Sequence, residues 1–126
     1  MESFYQHKDI KLFYRKIGSG NTKVIAFHGF TKSSKDYLLY ESFCKDKYTL
    51  YAIDLFYHGK TTFNSKNWRS FSKPQLKEIL AGFFNHIDAK VFEVIGYSMG
   101  GRIALFTMEQ FANRINHVYL LAPDGL

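Results

Sequence analysis

Four short apolar runs, separated by stretches of helical periodicity, leave this chain few folds to choose from. They are Val24-Ile25-Ala26-Phe27, the stretch from Tyr48 to Leu55, Val91 to Ile95, and Val118 to Ala122. The first is continuous, the pattern of a strand buried on both faces, and the other three read as strands as well. The segments between them have another period. From Ser34, placed to cap a helix, to about Cys44, the residues Tyr37, Leu38, Leu39, Tyr40 and Phe43 supply apolar surface. Ser72 and Gln75 have capping-box spacing and Pro74 falls in the first turn. Leu76, Ile79, Leu80, Phe83, Phe84 and Ile87 then follow on one helical face. Met99 to Phe111 is apolar on most sides, so a largely buried helix is expected. Strands that alternate with helices pair in parallel through right-handed crossovers. Ahead of them, Ser3 to Tyr14 reads as a hairpin of edge strands around Lys8-Asp9. Phe56 to Arg69 is polar and irregular, a loop with room for a short helical turn. The expected class is α/β, a mostly parallel sheet with helices on both faces, six strands in one domain over residues 1–126.

Composition narrows the function classes. Almost half of the residues are hydrophobic (46%) and 18% are aromatic, which argues for a packed core and against disorder. Seventeen basic residues against eleven acidic give a formal charge of +6, but they are scattered, and no run has the form of a nucleic-acid tail. Cys44 is the only cysteine, so no internal disulfide forms, and no Cys/His cluster has metal-ligand spacing. Cys44 is expected to pack as a small buried hydrophobe. Met1 to Ile10 is mixed and charged, not a signal segment, and no apolar run is long enough for a bilayer. The expectation is a cytoplasmic protein with a small-molecule partner, without metal or organic cofactor.

Gly96-Tyr97-Ser98-Met99-Gly100 is G-x-S-x-G between an apolar strand and an apolar helix. A serine in such a sharp turn projects its hydroxyl above the carboxyl edge of the sheet, and the tight turn needs small neighbours. Ser98 is therefore the candidate nucleophile. His28-Gly29-Phe30 directly follows the first buried strand. Acyl transfer needs two N–H donors aimed at the developing oxyanion. The backbone amide of Met99 and that of Phe30 are the candidates, with Gly29 allowing close approach.

With these motifs in place, the chain resembles the α/β-hydrolase superfamily from about Ser3 to its last residue. The matching pieces are His28-Gly29-Phe30, Asp54-Leu55-Phe56-Tyr57-His58-Gly59, Gly96 to Gly101, and the strand ending Leu121-Ala122-Pro123. The second departs from the family's usual Asp-Leu-Pro-Gly-His-Gly, with Phe56 and Tyr57 in place of Pro and Gly, which bears on loop shape and not on fold. The elbow through Arg102 is also similar to that of the lyase that makes the cyclohexadiene carboxylate intermediate of menaquinone synthesis. That resemblance implies that Arg102 binds a substrate carboxylate; a solvent-facing or ion-paired helix residue is the alternative. His28 is placed beside the substrate, with a structural role in its loop.

A serine hydroxyl is a weak nucleophile without a base. The family's triad runs serine, acid, histidine along the chain. After Ser98 the only histidine is His117, expected at the amino end of the last strand and so away from the site. His7 falls in the hairpin and His86 at the end of a helix. His58 matches the family's loop histidine rather than its base. Asp124 is a turn residue beside Pro123 and Gly125, or else the triad acid. The resemblance thus implies a hydrolase fold that stops after six strands, lacking the C-terminal strands and the triad histidine. Its activity is expected to be that of a serine hydrolase on a small ester or related acyl compound, feeble in this chain alone. The other readings are the lyase, or a non-catalytic module that self-associates through an exposed final strand.

Overall fold

The computed structural model describes residues 1–63 and 72–122. Strands β1 (Glu2–His7) and β2 (Ile10–Gly18) form the antiparallel hairpin. Then come β3 (Thr22–Phe27), β4 (Tyr48–Ile53), the two-residue β5 (Thr62–Phe63), β6 (Phe92–Tyr97) and β7 (Ile115–Leu121). They make one seven-stranded sheet in the order β1-β2-β4-β3-β6-β7, with β5 beside β2. The strands from β4 to β7 in that order are parallel, as the strand-helix alternation predicts. The hairpin and β5 add antiparallel pairs, which makes the sheet mixed.

Three local expectations are corrected. Of the hairpin, β1 alone lies at the sheet edge: β2 lies between β1 and β4, and Ile10, Leu12, Phe13 and Ile17 are buried. Thr62–Phe63 is a strand and not loop, too short to show a period. The helix expected from Ser34 is a 3₁₀ turn over Ser34–Tyr40 that runs into one turn of α1 (Glu41–Cys44), and its cap is Ser33, whose side chain accepts from the Lys35 amide. Ser34 is itself buried, its hydroxyl accepting from Arg15 Nε at 3.0 Å.

Alternation along each strand sorts the core into two layers. Leu12, Tyr14, Ile25, Phe27, Tyr51, Ile53 and Val94 face α2 (Lys73–His86) and α3 (Met99–Gln110), where Phe83, Phe84 and Ala104 meet them. Ile17, Val24, Ala26, Leu50 and Ala52 face Tyr37 and Cys44 on the other side. Cys44 is a free, buried thiol, its pKa pushed up by burial. The capping box of α2 forms as its sequence predicts: Ser72 Oγ accepts from the Gln75 amide at 3.3 Å, and Gln75 Oε1 from the Ser72 amide at 2.8 Å. Among the described residues, no helix is long and apolar enough to cross a membrane.

The register decides where chemistry can collect. Phe27 pairs with Ile53 and with Gly96, and Gly96 with Leu120. The carboxyl ends of β3, β4, β6 and β7 therefore finish level. His28, Asp54 and Ser98 all emerge at this one edge.

Candidate active site

Ser98 stands between β6 and α3 at φ 53°, ψ −117°. Such left-handed backbone strains any residue that carries a Cβ. The turn is held from both sides: the Ser98 amide donates to the Leu121 carbonyl at 3.0 Å, and the Gly101 amide to the Ser98 carbonyl at 2.8 Å. Close packing explains the small residues nearby. A Cβ on Gly100 would run into the carbonyl oxygens of Phe27 and His28. A Cβ on Gly29 would stand 3.0 Å from the Tyr97 ring and 3.4 Å from Ser98 Cβ. The β3 loop and the serine turn are thus in contact. Phe30 follows Gly29 and Met99 follows Ser98, so both amides belong to this neighbourhood. As the first residue of α3, Met99 carries an amide that no carbonyl of the helix can take.

Two loops from neighbouring strands meet beside Ser98. Their anchor is Asp54, 2% exposed, whose Oδ1 accepts from the Ser34 amide at 2.7 Å and whose Oδ2 accepts from the Lys60 amide at 2.8 Å. The first loop turns over Gly29–Lys32, where the Lys32 amide donates to the Gly29 carbonyl at 3.1 Å and Thr31 holds φ 63°. The second turns over Leu55–His58, where the His58 amide donates to the Leu55 carbonyl at 3.0 Å and Tyr57 holds φ 65°. A positive φ at the third residue is the type II pattern, which favours glycine there. Tyr57 thus takes the shape that the family's glycine would take, and the replacement leaves the loop shape intact.

His28 is buried, its Nδ1 donating to the Gly29 carbonyl at 2.7 Å while Nε2 accepts from the Leu55 amide at 2.9 Å. That pairing requires the neutral ring with its proton on Nδ1. Burial, the largest cause, holds the His28 pKa below the ordinary histidine value of 6.5, and the neighbouring His58 lowers it further. Both ring nitrogens of His28 are thus taken by backbone groups of the two loops. Its ring still forms one side of a cavity of about 250 Å³ with Lys32, Asp36, Tyr37, Tyr97 and Leu121. Arg102 lies exposed on the first turn of α3. Phe30 is 67% exposed, its ring edge-on to His58.

The remaining histidines stand elsewhere. His7 and His86 sit where the hairpin meets α2, against Tyr5 and Tyr14. His117 is the third residue of β7, near its amino end, with Nδ1 3.2 Å from Glu93 Oε2. Asp124 lies outside the described residues.

The α/β hydrolase fold family matches residues 23–125. The chain belongs to this family. Among curated relatives of this hydrolase-family chain is the dihydrolipoyllysine-residue acetyltransferase component of the acetoin cleaving system of Cupriavidus necator, 29% identical over 124 residues, covering 96% of this chain and 32% of that protein. Another, from Bacillus subtilis, is named as a proposed 2-succinyl-6-hydroxy-2,4-cyclohexadiene-1-carboxylate synthase; it is 30% identical over 97 residues, covering 77% of this chain and 35% of that protein. The chain spans about a third of the length of these relatives. Among solved structures, a proposed lipase from Acinetobacter baumannii AYE superposes with a TM-score of 0.87 over all of this chain and 42% of its own, at 24% identity, which shows a shared fold.

Sequence reasoning missed the contact between the two loops. Its signal was faint: two histidines and an aspartate after two different strands show no spacing of their own until the register brings the strand ends together.

Proposed function

We propose that this chain carries the nucleophile and the oxyanion site of a serine hydrolase acting on a small ester or related acyl compound, and that residues 1–126 are the N-terminal part of that enzyme's single domain. The observation that carries this reading is Ser98 itself, held at φ 53° on a turn that closes against the His28-Gly29-Phe30 loop. Strained backbone at a polar residue gathers at functional sites. Ser98 Oγ bonds to the substrate carbonyl carbon as its proton passes to a base. The carbonyl oxygen, now anionic, accepts hydrogen bonds from the Phe30 and Met99 amides. The alkoxide leaves with the proton, and water repeats the sequence on the acyl-enzyme to release the acid and restore Ser98.

The base in this reading lies outside these 126 residues. His28 and His58 spend both ring nitrogens on the loops, and His7, His86 and His117 are held at other places in the fold. The chain alone then retains only the share of catalysis that oxyanion contacts and binding supply, roughly 10³–10⁴ over water. A fluorophosphonate probe read by intact mass tests the assignment. In the longest protein of the same gene, labelling at Ser98 that vanishes in Ser98→Ala is expected, with the 126-residue chain far slower. Rapid labelling of the short chain would mean that one of its own histidines is the base.

Arg102 favours a second reading, a lyase acting on a carboxylate-rich substrate, as the name of the Bacillus subtilis relative suggests. There the same serine and base remove a proton and no acyl-enzyme forms. Loss of turnover in Arg102→Ala on a carboxylate substrate, with simple esters unaffected, would select it.

A further inference from the structure

The two site-side histidines do the same work in opposite directions. His28 belongs to the loop after β3 and accepts, through Nε2, the Leu55 amide of the loop after β4 at 2.9 Å. His58 belongs to the loop after β4 and accepts, through Nε2, the Thr31 amide of the loop after β3 at 3.2 Å. Each ring is fixed in one tautomer by donating from Nδ1 to a carbonyl of its own loop, Gly29 at 2.7 Å and Phe56 at 2.8 Å. The two rings are in contact, tilted by 59° with centroids 5.0 Å apart.

The His58 bond falls where the backbone most needs holding. Thr31 is β-branched and sits at φ 63°, a conformation such residues rarely adopt. The competing type I turn flips the peptide between Phe30 and Thr31, which swings the Thr31 amide away and turns the Phe30 carbonyl over. An acceptor waiting for the Thr31 amide selects the left-handed form. We propose that His28 and His58 form a reciprocal latch between the two loops, in which His58 is a positioning residue that holds the turn carrying the Phe30 amide beside Ser98. The catalytic half of this proposal rests on the serine-hydrolase reading; the latch itself does not.

Both bonds need an unprotonated Nε2 as the acceptor. At the His28 ring, burial opposes the charged imidazole, while the Asp54 and Asp36 carboxylates favour it.

The test uses amide hydrogen exchange by NMR on the full chain, comparing wild type, His58→Leu and His58→Gln. The glutamine side chain offers a neutral acceptor at a similar reach and cannot be protonated. Protection of the Thr31 amide is expected to fall about tenfold in His58→Leu and to persist in His58→Gln. Unchanged protection in His58→Leu overturns the latch. So does loss of Thr31 protection in a folded His58→Gln, which decides the matter even where the leucine variant does not fold. In the longer protein, fluorophosphonate labelling of Ser98 is expected to slow roughly ten- to a hundredfold in His58→Leu, short of the 10²–10³ for losing a donor outright, and to recover in His58→Gln. Normal labelling with Thr31 unprotected removes the positioning role. No labelling in any variant, with Thr31 protected as expected, removes the hydrolase reading and the catalytic half with it, and leaves the latch as a device of the fold.

Discussion

Three residues with side chains hold left-handed backbone around the candidate site: Thr31, Tyr57 and Ser98. Each such residue raises the energy of the folded state by roughly 1–2 kcal/mol. At Thr31, Asn tolerates the conformation, and the exposed threonine side chain has little packing to lose. Thr31→Asn is therefore expected to stabilise by about 1 kcal/mol, raising Tm by roughly 4 °C in a thermal melt. No gain would mean that the left-handed turn is not strained. At Tyr57 the same relief is offset: the ring lies 5.2 Å from that of Phe63, a contact worth about 0.5–1.5 kcal/mol, and glycine adds freedom to the unfolded chain. Tyr57→Gly comes out near neutral on this reckoning. Gly100 has no such latitude. Gly100→Ala presses a methyl against the Phe27 and His28 carbonyls, and a loss of about 1–3 kcal/mol is expected in urea unfolding. The motif around Ser98 was legible because glycines and serine recur there at fixed offsets. The positive φ at Thr31 was not, since threonine is the last residue that a rule for left-handed turns would name.

At the scale of elements, legibility followed burial and length. Strand β3 announces itself through the unbroken apolar run Val24–Phe27, because helices and the 3₁₀ turn cover its two faces, while β4 and β6 stay readable with one polar residue, Thr49 and Glu93, inside each. Helix α2 was readable to its cap, and that cap makes a clean test. Ser72→Ala is expected to destabilise by about 1 kcal/mol, and the variant should lose protection first in the opening turn of α2. An unchanged urea midpoint would show that Pro74 alone fixes the helix start. The 3₁₀ turn over Ser34–Tyr40 escaped because periods of 3.0 and 3.6 barely diverge over so short a span. What tightens it is tertiary: Ser34 is held to Arg15 and Asp54, and the buried Tyr37 hydroxyl donates to the Phe27 carbonyl at 2.9 Å.

For the whole molecule, the buried His28 ties stability to pH. Its folded pKa lies below 6.5, so as pH falls the unfolded chain takes up a proton first. The contribution of the neutral ring is complete above about pH 6.5 and is lost as pH drops through the window beneath it. Thermal stability is expected to decline between about pH 7 and 5, with a shallower slope in His28→Asn. An equal slope in the variant would place the proton uptake at another residue. The site itself was only half legible, since residues far apart in sequence become neighbours through the parallel register, and no local pattern records that. The Asp54 carboxylate shows what this means for change. Ser34 and Lys60 hang from its two oxygens, so segments far apart along the chain turn on one pivot. A residue added to or removed from either loop shifts the other, and their lengths can drift only in step.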